Sequence, residues 1–182
     1  MSDPHLLTIS GALRTASTNR QLLAEAARLF GPARVSEANL RLPLYDGDLE
    51  AMGFPAEVLA LHAQIAAADA VVISTPEYNK ALPGVLKNAL DWVSRVKGPS
   101  PWLGKPVAIV SAAAGRAGGE RSQYSLRLCL NPFRPLVLAG PEVMVADSST
   151  AFDADGHLKD ERTVKGLTEL MTDLRALSEK RS

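Results

Sequence analysis

The chain predicts an α/β protein, a doubly wound three-layer sandwich whose parallel sheet lies between two layers of helices. Three observations carry this. Short apolar runs alternate with longer amphipathic stretches along the whole length, the rhythm of strand–helix–strand units. Two of the runs, Ala70–Ser74 and Pro106–Ser111, show no polar alternation, as expected of strands covered on both faces. The stretches between runs repeat apolar residues every three or four positions, the period of a helix with one buried side. Right-handed crossovers then place helices on both faces of the sheet.

The elements come in the following order along the chain. His5–Ser10 is a strand that runs directly into Gly11. Ser17 or Thr18 caps a helix reaching to about Phe30, ended by Gly31-Pro32. Arg34–Leu40 is a second strand with weak alternation, and Leu42–Asp48 is a loop with turn chemistry at Asp46-Gly47. Pro55–Ala68 is a helix with Val58, Leu59, His62 and Ile65 at helical spacing, started by a proline whose missing N–H costs little there. After the strand 70–74, Pro83–Val96 forms a helix with an apolar stripe of Val85, Leu86, Ala89, Leu90, Val93 and Val96. The strand at 106–111 precedes a helix over Glu120–Leu130. Leu136–Ala139 and Val143–Ala146 are short strands divided by Gly140-Pro141, and a helix from Asp160 to about Glu179 turns Leu167, Leu170, Met171, Leu174 and Leu177 inward. No repeat, linker or low-complexity segment interrupts residues 1–182, so one domain is expected.

Composition narrows the function. The chain has 182 residues, and its 20 Lys and Arg balance its 20 Asp and Glu. A nucleic-acid partner is not expected, because such domains carry a basic excess. Cys129 is the sole cysteine, which excludes an internal disulfide, a CxxC pair and a cysteine-rich metal site. The longest run without Asp, Glu, Lys or Arg is the 11 residues Val58–Ala68, well short of the about 20 that cross a bilayer. The first residues show no basic stretch before an apolar one, so no signal peptide and a cytoplasmic location are expected. Small-molecule partners remain.

Ligands of such sheets bind at the carboxyl ends of the strands, where the strand order reverses. Three loops fall there. Ser10–Asn19 (SGALRTASTN) enters a helix N-terminus, where free N–H groups and the helix dipole favour an anion. Arg14 offers a guanidinium fork, and Thr15, Ser17 and Asn19 offer further donors. Either this is a phosphate cradle or Ser17 and Asn19 serve only as a helix cap. The loop matches neither the P-loop nor the G-x-G-x-x-G pattern. Thr75–Gly84 (TPEYNKALPG) is long for a strand-to-helix connection and carries two prolines; consecutive N–H groups from Glu77 to Asn79 suit a flat ligand. Ser111–Gly119 (SAAAGRAGG) consists of small residues apart from Arg116, so either a planar ring approaches its backbone closely or it is a plain connector.

The loops together describe a site for a phosphate joined to a flat heteroaromatic ring, and the residues resemble a known family. Gly11-Ala-Leu-Arg-x-x-Ser-x-Asn19, the 17-residue stretch Pro76-Glu-Tyr-Asn-x-x-x-Pro-Gly-x-Leu-Lys-Asn-Ala-Leu-Asp-Trp92, and Gly118-Gly-x-Arg-x-Gln-Tyr-x-Leu-Arg127 are similar to motifs of the NADPH-dependent FMN reductases. These are flavodoxin-like proteins that include quinone, azo-dye and chromate reductases. Leu42-Pro-Leu-Tyr-Asp46 resembles a segment of the quinone and chromate reductase branch. The match spans roughly residues 5 to 178.

The resemblance implies a five-stranded parallel sheet in the order 2-1-3-4-5 and an FMN site. It places Arg14, Ser17 and Asn19 at the FMN phosphate, with Ala12, Leu13 and Thr15 in the same loop. Pro76, Glu77, Tyr78 and Asn79 fall against the isoalloxazine ring, and the segment from Ser111 to Gly115 along its other edge. It implies NADPH or NADH as donor, hydride transfer from nicotinamide C4 to flavin N5, then reduction of a quinone, flavin, azo compound or chromate in the same slot. The flavin carries the chemistry, so neither a catalytic side chain nor a metal is expected. The backbone N–H groups of Glu77–Asn79 would stabilise the reduced ring. Arg14, Arg20, Lys80 and Arg116 are candidates for a nicotinamide 2′-phosphate.

One residue departs from the pattern. The family has Gly-Ser-Leu-Arg where this chain has Ala12. Losing a hydrogen bond to a charged phosphate costs on the order of 1.5–3 kcal/mol unless a backbone N–H or water substitutes, so looser FMN binding is expected. His5, His62 and His157 read as structural or surface residues, Asp153–Gly156 as a turn, and Cys129, among Leu126, Leu128 and Leu130, as a core thiol. Trp92 belongs to a motif near the subunit contact in the family. Arg121 and Tyr124, on one helical face, join Glu142 in an expected homodimer or homotetramer surface. Two readings compete: an electron carrier without nicotinamide activity, and a binding module without flavin.

Overall fold

The computed structural model describes residues 3–180. Strands β1 (His5–Ser10), β2 (Arg34–Glu37), β3 (Ala70–Ser74), β4 (Pro106–Ala112), β5 (Leu136–Val137) and β6 (Val143–Val145) form one parallel sheet in the order β2-β1-β3-β4-β5, with β6 also beside β4. This is the flavodoxin-type strand order. The predicted fifth strand is thus present in two pieces. Val137 lies opposite Val107 and Val143 opposite Val110, so six residues of chain cover an interval that three span on β4. The excess loops out around Gly140-Pro141, where proline has no N–H for a ladder.

Strand alternation divides the core in two. Leu6, Val72, Ala108 and Val110 face helices α1 (Thr18–Phe30) and α6 (Glu161–Glu179). Leu7, Ile9, Val71, Ile73, Val107 and Ile109 face α3 (Ala56–Ala67), α4 (Gly84–Arg95) and α5 (Glu120–Leu130). Every residue of β1, β3 and β4 is buried, which explains the unbroken apolar runs.

Several boundaries and faces differ from expectation. Strand β2 stops at Glu37 instead of Leu40, consistent with its weak alternation at the sheet edge. The expected loop at 42–48 ends in a short helix α2 (Gly47–Met52). The Asp46 carboxylate accepts the N–H of Asp48 at 2.9 Å, so Asp46-Gly47 is a helix cap instead of a free turn. On α3 the core contact is Leu61, while Leu59 faces solvent. Leu128 is exposed and Cys129 only partly buried, so the thiol sits at the margin of the core. Trp92 is wholly buried. Its indole donates to Pro43 O at 2.8 Å and meets the Tyr45 ring edge-on, so it is a core residue of this chain.

Candidate functional site

Three loops leave the carboxyl ends of β1, β3 and β4, and they lie side by side because these strands are neighbours. Chain direction across the sheet reverses between β2-β1 and β1-β3, the switch point that opens a crevice. Gly11 N–H donates to Ser74 O at 2.8 Å, and Thr75 N–H to Val110 O at 3.0 Å. These bonds carry the ladder past the strands and fix the loop bases. A Cβ at Gly11 would come within 2.9 Å of Leu86, Pro76 and Pro83, so a side chain there would force the first two loops apart.

In the first loop the Ser10 hydroxyl spans the turn, accepting from Ala12 N–H at 3.2 Å and donating to Ala12 O at 3.0 Å. Ser17 is the N-cap of α1, its hydroxyl accepting from Asn19 N–H at 3.2 Å. The Asn19 side chain turns inward. Its Oδ1 accepts from the Ser74 hydroxyl at 2.8 Å and Ala112 N–H at 3.1 Å, and its Nδ2 donates to Ala112 O at 2.8 Å. One amide therefore ties α1 to the ends of β3 and β4. Ser17 thus caps the helix and Asn19 braces the strand ends instead of capping, while Arg14 and Thr15 stand exposed in front of the helix and Leu13 is half-buried. Among the described residues, the N–H groups of Leu13, Arg14, Thr15, Ala16 and Thr18 have no hydrogen-bond partner, and Arg14 has no ion pair. Orphan donors, a guanidinium and a helix N-terminus converge as an anion site requires.

The second loop is rigid. Pro76 is buried, and its carbonyl accepts from the Ser122 hydroxyl at 2.9 Å. Ser122 and Thr75 hydroxyls lie 2.5 Å apart. Tyr78 and Ala81 exchange both backbone hydrogen bonds at 3.2 Å around Asn79 (φ 52°) and Lys80 (φ 66°). Both central residues are left-handed, the pattern of a type I′ turn usually given to glycine. Neither is glycine, so the turn holds strain that the flanking packing must sustain. The Glu77 carboxylate accepts Arg121 N–H at 3.1 Å and lies 3.6 Å from the Arg121 guanidinium. Its side chain thus braces α5, while Tyr78, Asn79 and Lys80 are exposed and their loop faces the opening.

In the third loop Ser111 is completely buried, its hydroxyl donating to Gly118 O at 2.7 Å and accepting from Gln123 Nε2 at 2.8 Å. It shapes the loop from beneath, and the exposed part is 114–117, which includes Gly115. Gly118 (φ 58°) is demanded by space as well as conformation, because a Cβ would come within 2.7 Å of Met144 backbone. Around Gly115 there is open space.

Of the other candidates, Arg20 is taken by Glu37 at 2.8 Å. Arg116 and Lys80 are exposed, with no ion pair among the described residues. Tyr124 Oη donates to Glu142 at 3.4 Å, and that carboxylate raises the phenol's pKa. Arg121 leaves this pair for Glu77, so two of the three expected interface residues come together. Sequence reasoning missed the inner scaffold of Thr75, Ser122 and Gln123. It also missed a cleft of about 470 Å³ between the first two loops, lined by Leu13, Arg14, Leu42, Leu44, Tyr78 and Val85 among others. Spacing offers no signal for these, since each acts across the fold.

A parallel sheet in this order with three such loops defines a nucleotide-binding α/β protein of the flavodoxin type. The sequence profile of the NADPH-dependent FMN reductases matches residues 4–150. The chain is 46% identical to the NAD(P)H-dependent FMN reductase PA1204 of Pseudomonas aeruginosa, over 88% of this chain and 87% of that protein. It is 40% identical to a quinone reductase of Escherichia coli strain K12, covering 92% and 91%. It superposes with a TM-score of 0.88 on FerB, a flavoenzyme NAD(P)H:(acceptor) oxidoreductase from Paracoccus denitrificans, at 33% identity over 97% and 98% of the two chains. The chain belongs to the NADPH-dependent FMN reductase family, and is an oxidoreductase that works with FMN and NAD(P)H.

Proposed function

We propose that this chain, acting as one domain over residues 1–182, uses NAD(P)H to reduce quinones, with flavins, azo compounds and chromate as further acceptors. The observation that carries it is the convergence of three loops at the switch point, one built for an anion and two for a flat ring. The residues fit FMN. The phosphate would be held by Arg14, Thr15 and the orphan N–H groups of Leu13 to Ala16, with Ser17 and Asn19 fixing the loop behind them. Bound FMN supplies the two-electron acceptor and donor between nicotinamide and substrate. Pro76, Glu77, Tyr78 and Asn79 would hold the ring edge. The N–H groups of Glu77, Asn79 and Lys80 have no partner among the described residues and would offer positive charge to a ring on which electron density rises. The exposed stretch 114–117 would border the ring opposite. Ala12, whose carbonyl and N–H are both bonded to Ser10, contributes backbone shape and no hydroxyl.

Small-molecule acceptors are the substrates. No helix among the described residues is long and apolar enough to cross a membrane. We place the protein in the cytoplasm, where NAD(P)H is at hand, with neither nucleic acid nor membrane as partner. The balanced charge supports this reading. We also assign it a homodimer or homotetramer, supported by the exposed pair of Tyr124 on α5 and Glu142 in the loop before β6. The electron-carrier and flavin-free readings lose support from the reductases to which the chain is similar.

The test is the visible spectrum after loading with FMN and dialysis, before and after anaerobic NADPH and then NADH. Flavin bands that bleach, and return on adding a quinone, are expected. Bands that survive both nicotinamides would sink the enzymatic reading, and absence of bands would sink the cofactor.

A further inference from the structure

Leu44 is 81% exposed, yet the backbone on either side of it is held by side chains of α4. The buried Asn88 on α4 uses both ends of its amide on this segment. Its Nδ2 donates to Pro43 O at 2.8 Å, and its Oδ1 accepts from Tyr45 N–H at 2.8 Å. Trp92, one turn on, donates from Nε1 to the same Pro43 carbonyl at 2.8 Å. The Tyr45 ring meets the Trp92 ring edge-on at 5.1 Å, and its hydroxyl donates to Glu50, which also pairs with Arg95 at 3.0 Å. At the other end Arg41 donates to Leu13 O at 3.1 Å, joining the segment to the first loop.

The amide acts as a neighbouring strand would, pairing with the carbonyl of one residue and the N–H of the residue two further on. These bonds fix the register of the segment: Tyr45 turns its ring to Trp92 on the helix, while Leu42 and Leu44 both line the cleft with Tyr78, Val85 and Asn88 itself. A leucine held rigidly into solvent loses its hydrophobic stabilisation unless something covers it. The cleft has a volume within the range of small-molecule sites, is mainly apolar, and is continuous with the second loop through Tyr78.

We propose that Leu42 and Leu44 form the wall that receives the apolar ring of the electron acceptor, and that Asn88 is a positioning residue that sets this wall by fixing the register of residues 43 and 45. The proposal rests on the acceptor-reducing function above and assigns the part of the site that selects among acceptors. Apolar planar acceptors such as a naphthoquinone would use the wall, whereas a small hydrophilic anion such as ferricyanide would not.

The test is steady-state kinetics of the FMN-loaded protein with NADPH and each acceptor in turn, for Leu44→Ser, Asn88→Ala and the double variant. Leu44 is on the surface, so its replacement leaves the fold without a cavity. In Leu44→Ser the naphthoquinone KM is expected to rise about tenfold, the scale for losing apolar contacts in a pocket, with kcat changed less than twofold. Asn88→Ala is expected to give the same KM signature, and the double variant little more than either alone, because Asn88 acts through Leu44. Leu44→Ser with an unchanged ratio of kcat/KM between the two acceptors overturns the proposal. So does additivity in the double variant, an NADPH KM that rises in place of the quinone KM, or a changed oligomeric mass with unchanged selectivity, which would make the cleft a subunit contact. A wild-type protein that turns over neither acceptor overturns the functional reading, and this inference with it.

Discussion

Arg14 stands exposed at the mouth of α1 with no ion pair among the described residues, and the residues around it separate into exposed ones in front of the helix and inward-turned ones that build the floor. Removing the guanidinium in Arg14→Ala is expected to weaken FMN binding at least tenfold, by fluorescence titration, because a charge-assisted pair to phosphate is lost from a loop otherwise intact. In the same titration Ala12→Ser is expected to tighten binding; equal affinities would show that Ala12 leaves no gap at the phosphate. The exposed placement of Arg14 and Thr15 before the helix was legible from their place between a strand and a helix. The inward turn of Asn19 and Ser111 was not. Both residue types make the same hydrogen bonds to a ligand or to a backbone, and only the positions of Ser74, Ala112, Gly118 and Gln123 decide which.

Helix α1 supplies the next scale. Glu25, on its buried side, is held by a bidentate pair to Arg28 at 2.8 and 2.9 Å and by His157 Nδ1 at 3.0 Å. His157 lies in the turn whose Asp153 carboxylate accepts two backbone N–H groups, so the carboxylate of Glu25 joins α1 to the segment before α6. The Arg28 guanidinium is the main cause that brings the Glu25 pKa down to about 2; burial opposes it and His157 adds to it. Because folding lowers this pKa from 4.5, its stabilisation is complete above that value and is lost as the pH falls toward 2. Glu25→Gln should cost on the order of 2 kcal/mol at pH 7. The gap from wild type in urea denaturation should narrow below about pH 4; a gap independent of pH would count against the pairing. The turn at 153–156 was readable from its Asp and Gly residues, but its attachment to α1 was not, since 132 positions separate Glu25 from His157. Short α2 shows the same limit. An Asp-Gly pair starts turns and helices alike; α2 buries none of its residues, and its ties are those of Glu50 to Tyr45 and Arg95.

At the scale of the whole molecule, the site exists because β1, β3 and β4 are adjacent, which brings residues 11–17, 76–81 and 113–119 to one edge. The Tyr124–Glu142 contact lies on α5 and the loop before β6, away from that edge's first loop. Static light scattering at micromolar concentration is expected to give two or four times the chain mass, and a mass of one chain would dismiss the homo-oligomer.

Apolar periodicity by itself determined the α/β class, the main strands and every long helix, since burial imposes a period of 3.6 on helices and unbroken apolar runs on central strands. The three loops and their resemblance to the FMN reductases also stood in the sequence, because glycines, prolines and a lone arginine at strand ends mark positions that backbone geometry constrains. Tertiary structure decided what depends on partners distant in sequence: which polar side chains turn inward, and the Asn88 clamp that aims Leu44 at the cleft. A hydrogen bond has direction and a single reach of about 3 Å, so its partner is chosen only when the sheet has brought the candidates together.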